Sequence, residues 1–199
     1  LTSLQALTLL LKEGSDDEET RSKLTGMIEQ NVAYLGSLID QWRAFSEPQT
    51  LVKEYAPLAE IAQEAAGFVG LRAEAKGVTL SVDAERCGLS PRLNRHAAAR
   101  ILVNLLQNAI EASPRGLGRV TLRAYPKDGA VEFTVRDDGD GIPPSETQRV
   151  FEPRYTTKKK GTGLGLFIAR HIVEGAEGSI TICSRPGRGT TFTVQLPAC

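Results

Sequence analysis

The sequence predicts a protein of the α+β class, in which a helical hairpin precedes a larger domain of mixed helices and strands. A heptad pattern of apolar residues over residues 20–46 predicts the long helix of the hairpin. From residue 57 onward, segments with the helical period alternate with segments in which every second residue is apolar. In this second part, one glycine-rich loop follows a strand-like segment and a second leads into a helix-like segment. We therefore divide the chain into residues 1–48, the hairpin, and residues 49–199, the mixed domain.

Length and composition exclude several classes of protein. The 199 residues suffice for one large or two small domains, each with its own core. Lys and Arg together number 24, as do Asp and Glu, and 41% of residues are hydrophobic, which argues against a nucleic-acid partner and against disorder. No apolar run reaches the roughly 18 residues of a membrane span. With no signal-peptide pattern and no metal-ligand spacing among Cys87, Cys183 and Cys199, we expect a cytoplasmic location with reduced thiols.

The hairpin is predicted from two apolar patterns. Leucines recur at helical spacing before Gly14, and the second helix places apolar residues in steps of four and three from Leu24 to Phe45. Val32 and Ile39 widen this stripe beyond a two-stranded seam. The long helix should therefore pack in a bundle against more than one neighbour.

The second part begins after Pro48, which breaks the long helix. Ser90 followed by Pro91 indicates the N-cap and first turn of a further helix that continues to residue 113. The other predicted elements are a short strand at Thr50–Tyr55, a helix from Pro57 to about Lys76, a strand at Gly77–Val82, and strands at Arg119–Tyr125 and Ala130–Asp137 around a turn at 126–129.

The helix at residues 101–113 carries two asparagines that could form a binding site. Its apolar residues share one face, and Asn104 and Asn108 lie one turn apart on another. Their amide oxygens could reach a hard cation or a phosphate. A buried helix with two satisfied amides is the alternative interpretation.

Each glycine-rich loop could approach a ligand. In the first loop, Asp137 ends a strand and Gly139 and Gly141 permit a tight turn beside a flat ligand, although an ordinary hairpin turn fits equally. The second loop, residues 161–166, leads directly into an apolar helix, so its free amides could bind an anion. Lys158, Lys159 and Lys160 precede it, either as a solvated charge run or as part of a lid over phosphates.

Together these segments resemble the ATP-binding domain of sensor histidine kinases, within the superfamily of gyrase, chaperone, histidine-kinase and mismatch-repair ATPases. In order, NLLQNAIEAS, DDGDGI, VFEPRYTTKKK and GTGLGL resemble its N, G1, F and G2 boxes. The segment SITICSRPGRGTTFTVQLP resembles its closing strand pair. The resemblance spans about residues 52–197 and implies an α/β sandwich that binds ATP and Mg²⁺.

The resemblance also implies residue roles. Asn108 would bind Mg²⁺, Asp137 would recognise adenine, Thr190 would support that contact through water, and Asn104 and Lys158 would act in catalysis. Phe151 and Tyr155 would anchor the lid, whereas Arg154 stands where relatives often have an aromatic residue. The implied ATP-binding set is Asn104, Asn108, Asp137, Gly139, Gly141, Ile142, Thr157, Lys158, Gly161, Thr162, Gly163, Leu164, Gly165, Leu166 and Thr190.

The function implied by the resemblance is that of a two-component protein-histidine kinase. It would transfer the γ-phosphate of ATP to a histidine for relay to the receiver domain of a response regulator. The hairpin would form half of a homodimeric four-helix bundle. The acceptor motif is expected just upstream of Leu1, in a parent protein that could be membrane-anchored. Since neither His96 nor His171 fits the acceptor role, the 199 residues should not phosphorylate themselves.

Two alternatives remain open at this stage. The chain could be a hydrolysing ATPase, but hydrolytic members of the superfamily carry a water-activating glutamate where this sequence has Asn104, and an amide cannot serve as that base. It could also be a dimeric scaffold with a degenerate nucleotide site. Phosphate release tests the first alternative, and an ATP titration tests the second.

Overall fold

The computed structural model describes residues 54–158 and 163–199 of the chain. These ranges contain three helices, α1 (Leu58–Lys76), α2 (Arg95–Ala112) and α3 (Gly165–Gly175), with a 3-10 turn at Arg149–Phe151. The strands are β1 (Thr79–Ala84), β2 (Arg119–Lys127), β3 (Ala130–Asp137), β4 (Ser179–Ser184) and β5 (Thr190–Pro197). None of these helices is both long and apolar enough to cross a membrane. The predicted hairpin at 1–48 lies outside the described residues, and the division at residue 48 stays a prediction.

The five strands form one mixed sheet in the order β1-β2-β3-β5-β4. Strand β1 runs parallel to β2, and the other neighbours are antiparallel. Alternate residues of β2, β3 and β5 are buried in the core with the apolar faces of the helices, whereas the intervening residues are polar and mostly more exposed. The domain is therefore a two-layer sandwich of helices on a sheet, which confirms the predicted α+β class.

Helix α2 forms the centre of the helical layer. Its apolar residues at helical spacing are buried, including Ile101, Leu102, Leu105 and Leu106, as the sequence predicts. Helix α1 packs beside it and α3 packs on the opposite side. The polar residues of α2 that face α3 and the end of β3 are thereby placed at the edge of the core.

The predicted start of α2 at Ser90 and Pro91 is wrong. The N-cap is Asn94, whose Oδ1 accepts a hydrogen bond from the amide of His96 at 2.9 Å. Residue Pro91 instead forms a β-bridge with Ala198, next to a 2.7 Å bond from the Arg92 amide to a carbonyl of the last strand. Pairing with the C-terminal strand keeps this segment extended, so the helix begins four residues later.

Two other boundaries also differ from the prediction. Strand β1 begins at Thr79 because Gly77, with φ 70°, ends α1 in the left-handed conformation. Strand β2 extends to Lys127 and shortens the turn to the two residues before β3. Of the short strand predicted at 50–55, residues 54 and 55 are not in a strand, and the others are not among the described residues.

Candidate functional site

A cavity of about 810 Å³ lies between α2, the end of β3 and the start of α3. Small-molecule sites typically measure about 300 to 1,000 Å³. Most of the predicted ATP-binding residues line it: Asn104, Asn108, Asp137, Gly141, Ile142, Thr157, Lys158, Gly163, Leu164, Gly165, Leu166 and Thr190. Gly139 does not line it, and Gly161 and Thr162 are outside the described residues. The fold thus gathers residues from distant motifs around one ligand-sized space.

Asp137 is a buried carboxylate at the end of β3, with only 3% of its surface exposed. Its Oδ1 accepts hydrogen bonds from the backbone amides of Gly139 at 2.9 Å and Thr190 at 3.1 Å. Burial raises the pKa of Asp137 above its ordinary value, and the two amides partly offset this effect. The backbone therefore fixes the orientation of a carboxylate that also lines the cavity.

Glycines allow the loop after β3 to pack closely on its neighbours. A Cβ on Gly141, which has φ 71°, would lie 2.1 Å from the carbonyl oxygen of Arg185. A Cβ on Gly139 would lie 2.5 Å from the carbonyl oxygen of Ala112, at the end of α2. Gly139 is therefore needed for close packing of the loop against α2. It does not line the cavity.

Ser184 connects this loop to β5 and is not among the site residues predicted from the sequence. Its hydroxyl accepts a hydrogen bond from the amide of Ile142 at 2.8 Å and donates to the carbonyl of Gly189 at 3.1 Å. It also shares a 2.9 Å hydrogen bond with the hydroxyl of Thr190. A serine that ends a strand carries no distinct sequence signal, so only the packing of β4 beside the loop reveals this role.

Asn104 presents an unsatisfied polar atom at the cavity. Its Nδ2 is buried and has no hydrogen-bond partner among the described residues. Its Oδ1 faces the start of α3, where a Cβ built on Gly165 would lie 3.5 Å away. A buried donor without a partner costs about 1 to 3 kcal/mol. A ligand with acceptor oxygens in the cavity would remove this cost.

Asn108, one turn further along α2, contacts a cation of the protein itself. The ammonium of Lys158 donates to its Oδ1 at 3.3 Å and also to Oε2 of Glu111. The other carboxylate oxygen of Glu111 accepts from Arg72 at 2.8 Å. Glu111 and Arg72 line the cavity but were not predicted. The available signal was the position of Glu111, three residues after Asn108 on the same side of the helix.

The start of α3 is open to the cavity. No side-chain hydrogen bond caps this end of the helix within the described parts of the chain, and Leu164 and Gly165 line the cavity. Unpaired amides at a helix start favour an anion. Gly163, with φ 66°, packs against Arg154, whose amide donates to its carbonyl at 3.0 Å. This end of α3 is thus held in place by the segment that carries the predicted lid anchors.

The two predicted lid anchors are packed as expected. Phe151 is buried and meets Phe192 edge to face, with ring centroids 6.2 Å apart. Tyr155 packs against the core, and the guanidinium of Arg149 lies 4.7 Å from its ring centroid. The lid is predicted between Pro143 and Gly161, and its last residues from 159 onward are outside the described residues.

A metal site built only from protein side chains is not evident. Among residues 54–158 and 163–199, no group of three or more His, Cys, Asp or Glu side chains could hold a metal ion. Magnesium commonly takes one or two protein ligands and completes its shell with water and phosphate oxygens. The oxygens near Asn108 suit that kind of site.

Residues 93–199 match the family described as histidine kinase-, DNA gyrase B-, and HSP90-like ATPase, and the chain belongs to this family. It is 28% identical to sporulation kinase A of Bacillus subtilis over 198 residues, which are 99% of this chain and 32% of that protein. The solved structure of the mycobacterial sensor histidine kinase MprB resembles this chain with a TM-score of 0.65 and 29% sequence identity. The match covers 74% of this chain and 98% of that one.

A further solved structure is the catalytic domain of histidine kinase ThkA, which is 28% identical with a TM-score of 0.65 and covers 72% of this chain and 95% of that one. The likeness to ATP-binding domains of histidine kinases is therefore confirmed in sequence and in fold. The chain spans between about a fifth and just under half of the length of the curated relatives that it matches.

Proposed function

We propose that this chain is the ATP-dependent core of a two-component protein-histidine kinase. The observation that carries the proposal is a single cavity shared by Asp137, the two asparagines of α2 and the uncapped start of α3. These groups match the three parts of a nucleotide: a base with an exocyclic amine, a metal ion and a phosphate chain. Membership of the ATPase family identifies ATP as that nucleotide.

Asp137 would recognise adenine. Both backbone donors bind Oδ1, so Oδ2 is the oxygen that we assign to the exocyclic amine. Thr190 would support the contact through water, since its amide and hydroxyl are already fixed by Asp137 and Ser184. A carboxylate held in this way accepts from the amine without having to reorganise.

The phosphates would lie between the start of α3 and α2. The amides near Gly163 and Gly165 would donate to phosphate oxygens, as would the unpartnered Nδ2 of Asn104. Asn108 would bind Mg²⁺ through Oδ1, and the contact of the Lys158 ammonium with that atom supports this assignment. The metal ion, when bound, would neutralise charge on the phosphate chain.

Transfer would then depend on positioning. The imidazole nitrogen of an acceptor histidine attacks the γ-phosphorus, the bond to the bridging oxygen of ADP breaks, and the imidazole releases its proton. Lys158 would stabilise charge on the transferred group. Asn104 supplies an amide where hydrolysis would need a base, which favours transfer to histidine over attack by water.

The acceptor histidine would come from a segment other than the described domain. His96 lies at the N-terminal end of α2 and His171 on α3, and both are exposed and do not line the cavity. We propose a homodimer through the hairpin at 1–48 and a receiver domain as the next acceptor. One solved structure contains the histidine kinase ThkA in complex with the response regulator protein TrrA. Its match to this chain has 23% identity and a TM-score of 0.72, and covers 98% of this chain and 57% of that one. The parent protein would act in the cytoplasm.

The test is a two-stage assay. Calorimetry should show that an unhydrolysable ATP analogue binds and that Mg²⁺ strengthens the binding. The chain, joined to a hairpin that carries an acceptor histidine, should then acquire acid-labile label from γ-labelled ATP and pass it to a receiver domain. Steady release of phosphate without labelled histidine would favour the hydrolysing ATPase. Failure to bind the analogue would favour the scaffold.

A further inference from the structure

We propose that Glu111 supplies a second protein oxygen to the magnesium site of Asn108, and that the ammonium of Lys158 occupies this pair of oxygens in the nucleotide-free protein. The inference deepens the proposed function, because it concerns the metal that accompanies ATP. It assigns to Glu111 a role in metal binding in addition to its ion pairs.

Asn108 and Glu111 are three residues apart on α2, so their side chains project from the same side of the helix into the same cavity. The Nζ atom of Lys158 contacts Oδ1 of Asn108 at 3.3 Å and Oε2 of Glu111 at once. One amide oxygen and one carboxylate oxygen thus already surround a single positive charge.

A neutral amide alone is a weak ligand for a doubly charged ion, whereas Mg²⁺ in proteins usually has at least one carboxylate among its few protein ligands. Asp137 is not suitable as this carboxylate ligand, because the amides of Gly139 and Thr190 already bind its Oδ1 in a different part of the cavity. Glu111 is the carboxylate whose oxygen already shares a cation with Asn108, and its side chain is 31% exposed and therefore open to a hydrated ion.

Two cations cannot occupy the same pair of oxygens, so arrival of Mg²⁺ must displace Lys158 from Glu111 and Asn108. Lys158 belongs to the predicted lid and lines the cavity with the proposed phosphate site, where the γ-phosphate offers its ammonium a new partner. Metal binding would therefore release Lys158 toward the phosphate on which it is proposed to act. Arg72 stays paired with the other oxygen of Glu111, which leaves Oε2 as the oxygen available to the metal ion.

The experiment measures binding, not activity. An unhydrolysable ATP analogue is titrated into the parent chain and Glu111→Gln by calorimetry at a series of Mg²⁺ concentrations and with chelator. Mg²⁺ should strengthen binding of the analogue, and the Mg²⁺ concentration at which half of this effect is reached should rise on the order of ten-fold when a metal ligand is lost. Affinity in chelator should stay the same or improve, because a negative charge near the phosphates is removed. An equal change with and without metal would overturn the proposal.

Two further variants separate metal binding from indirect effects. In a Lys158→Met background, Glu111→Gln should still raise the Mg²⁺ requirement, and loss of the effect would mean that Glu111 acts only by holding Lys158. Arg72→Met should leave the Mg²⁺ requirement within about two-fold of the parent, and a shift as large as that of Glu111→Gln would overturn the assignment. Glu174→Gln, which alters an exposed glutamate paired with Arg170 on α3, controls for net charge.

The outcomes also distinguish this inference from the proposed function. If the parent chain binds no ATP analogue in any condition, the proposed function itself fails. If the parent binds it with a clear Mg²⁺ dependence that Glu111→Gln does not alter, only the role of Glu111 is wrong. Thermal unfolding of each variant excludes loss of the fold as the cause.

Discussion

The backbone amide of Thr190 donates a hydrogen bond to Oδ1 of Asp137 at 3.1 Å, and this contact joins two positions 53 residues apart in the chain. Strand β5 lies directly beside β3 in the sheet, so the first residue of β5 meets the last residue of β3. The carboxylate proposed to read adenine is therefore oriented by the sheet and not by its own loop alone. Substitutions where β3 and β5 meet should therefore change nucleotide binding and the stability of the fold to different extents.

The first prediction concerns Asp137→Asn. The variant keeps an oxygen that can accept from Gly139 and Thr190, but it places an NH₂ group where Oδ2 would face the adenine amine. Two donors then oppose each other, and ADP binding should weaken by about 1.5 to 3 kcal/mol, the scale of a hydrogen bond to a charged group. Calorimetry measures the loss. Asp138→Asn, whose side chain accepts from the Arg119 amide near the same loop, is the matched control. Equal ADP affinity in parent and Asp137→Asn would refute the adenine assignment.

The second prediction concerns pH. Burial raises the pKa of Asp137 in the folded protein above its value in the unfolded chain. The stability that Asp137 contributes is thus fully present below the pKa that it has in the unfolded chain. It is lost as pH rises through the higher pKa that it has in the folded protein. Relative to Asp137→Asn, the parent should become less stable as pH rises across that interval.

Denaturant unfolding of both proteins between pH 3 and pH 8 measures this difference, and other titrating groups cancel in the comparison. ADP binding should show the opposite trend and weaken toward acid pH, because a protonated carboxyl is a poorer acceptor for the amine. A stability difference that does not change with pH would contradict the burial argument.

The third prediction concerns Asn104→Leu. Leucine has a similar branched shape and removes the buried Nδ2 that lacks a partner among the described residues. The free energy of unfolding should not fall, and a gain of up to about 1 to 3 kcal/mol is expected without nucleotide. Binding of an ATP analogue and phosphoryl transfer should both be impaired. Asn108→Leu is the control, because its amide oxygen already has Lys158 as a partner and no comparable gain should appear. A less stable Asn104→Leu would indicate that the amide is satisfied in the free protein.

The sequence alone was sufficient for the elements whose patterns are local. The buried face of α2, the alternation in β2 and β3 and the aromatic anchors Phe151 and Tyr155 follow from spacing or from motif order, and the structure shows them. The start of α2 was misplaced, because pairing of the segment before it with the C-terminal strand is a long-range effect. Local capping preferences could not reveal that competition.

The parts of the site that were missed depend on tertiary contacts. Ser184 and Arg72 reach the site from β4 and α1, whose distance from it cannot be derived from spacing along the chain. Glu111 lay within the recognised motif, yet its role depends on where Lys158 approaches. The role of Gly139 could not be predicted either, because a glycine needed for close packing and a glycine needed beside a ligand look the same in the sequence.

The last prediction uses two glycines of the turn between β4 and β5. Gly189 has φ 80°, and a Cβ there would lie 2.0 Å from the carbonyl oxygen of Asp137. Gly187 has φ 70° but has no atom within 4 Å of such a Cβ. Both alanine variants incur the cost of a left-handed conformation, about 1 kcal/mol or more. Only Gly189→Ala adds a steric conflict with the backbone at Asp137.

Thermal unfolding should therefore show a larger loss of stability for Gly189→Ala than for Gly187→Ala, and at a temperature where both remain folded, only Gly189→Ala should weaken ADP binding. The reason is that a displaced turn moves the Thr190 amide away from Oδ1 and loosens the carboxylate. The difference between the two variants isolates the close approach of the turn from the conformational cost that they share. Similar stability and similar ADP affinity in the two variants would show that the turn does not position Asp137.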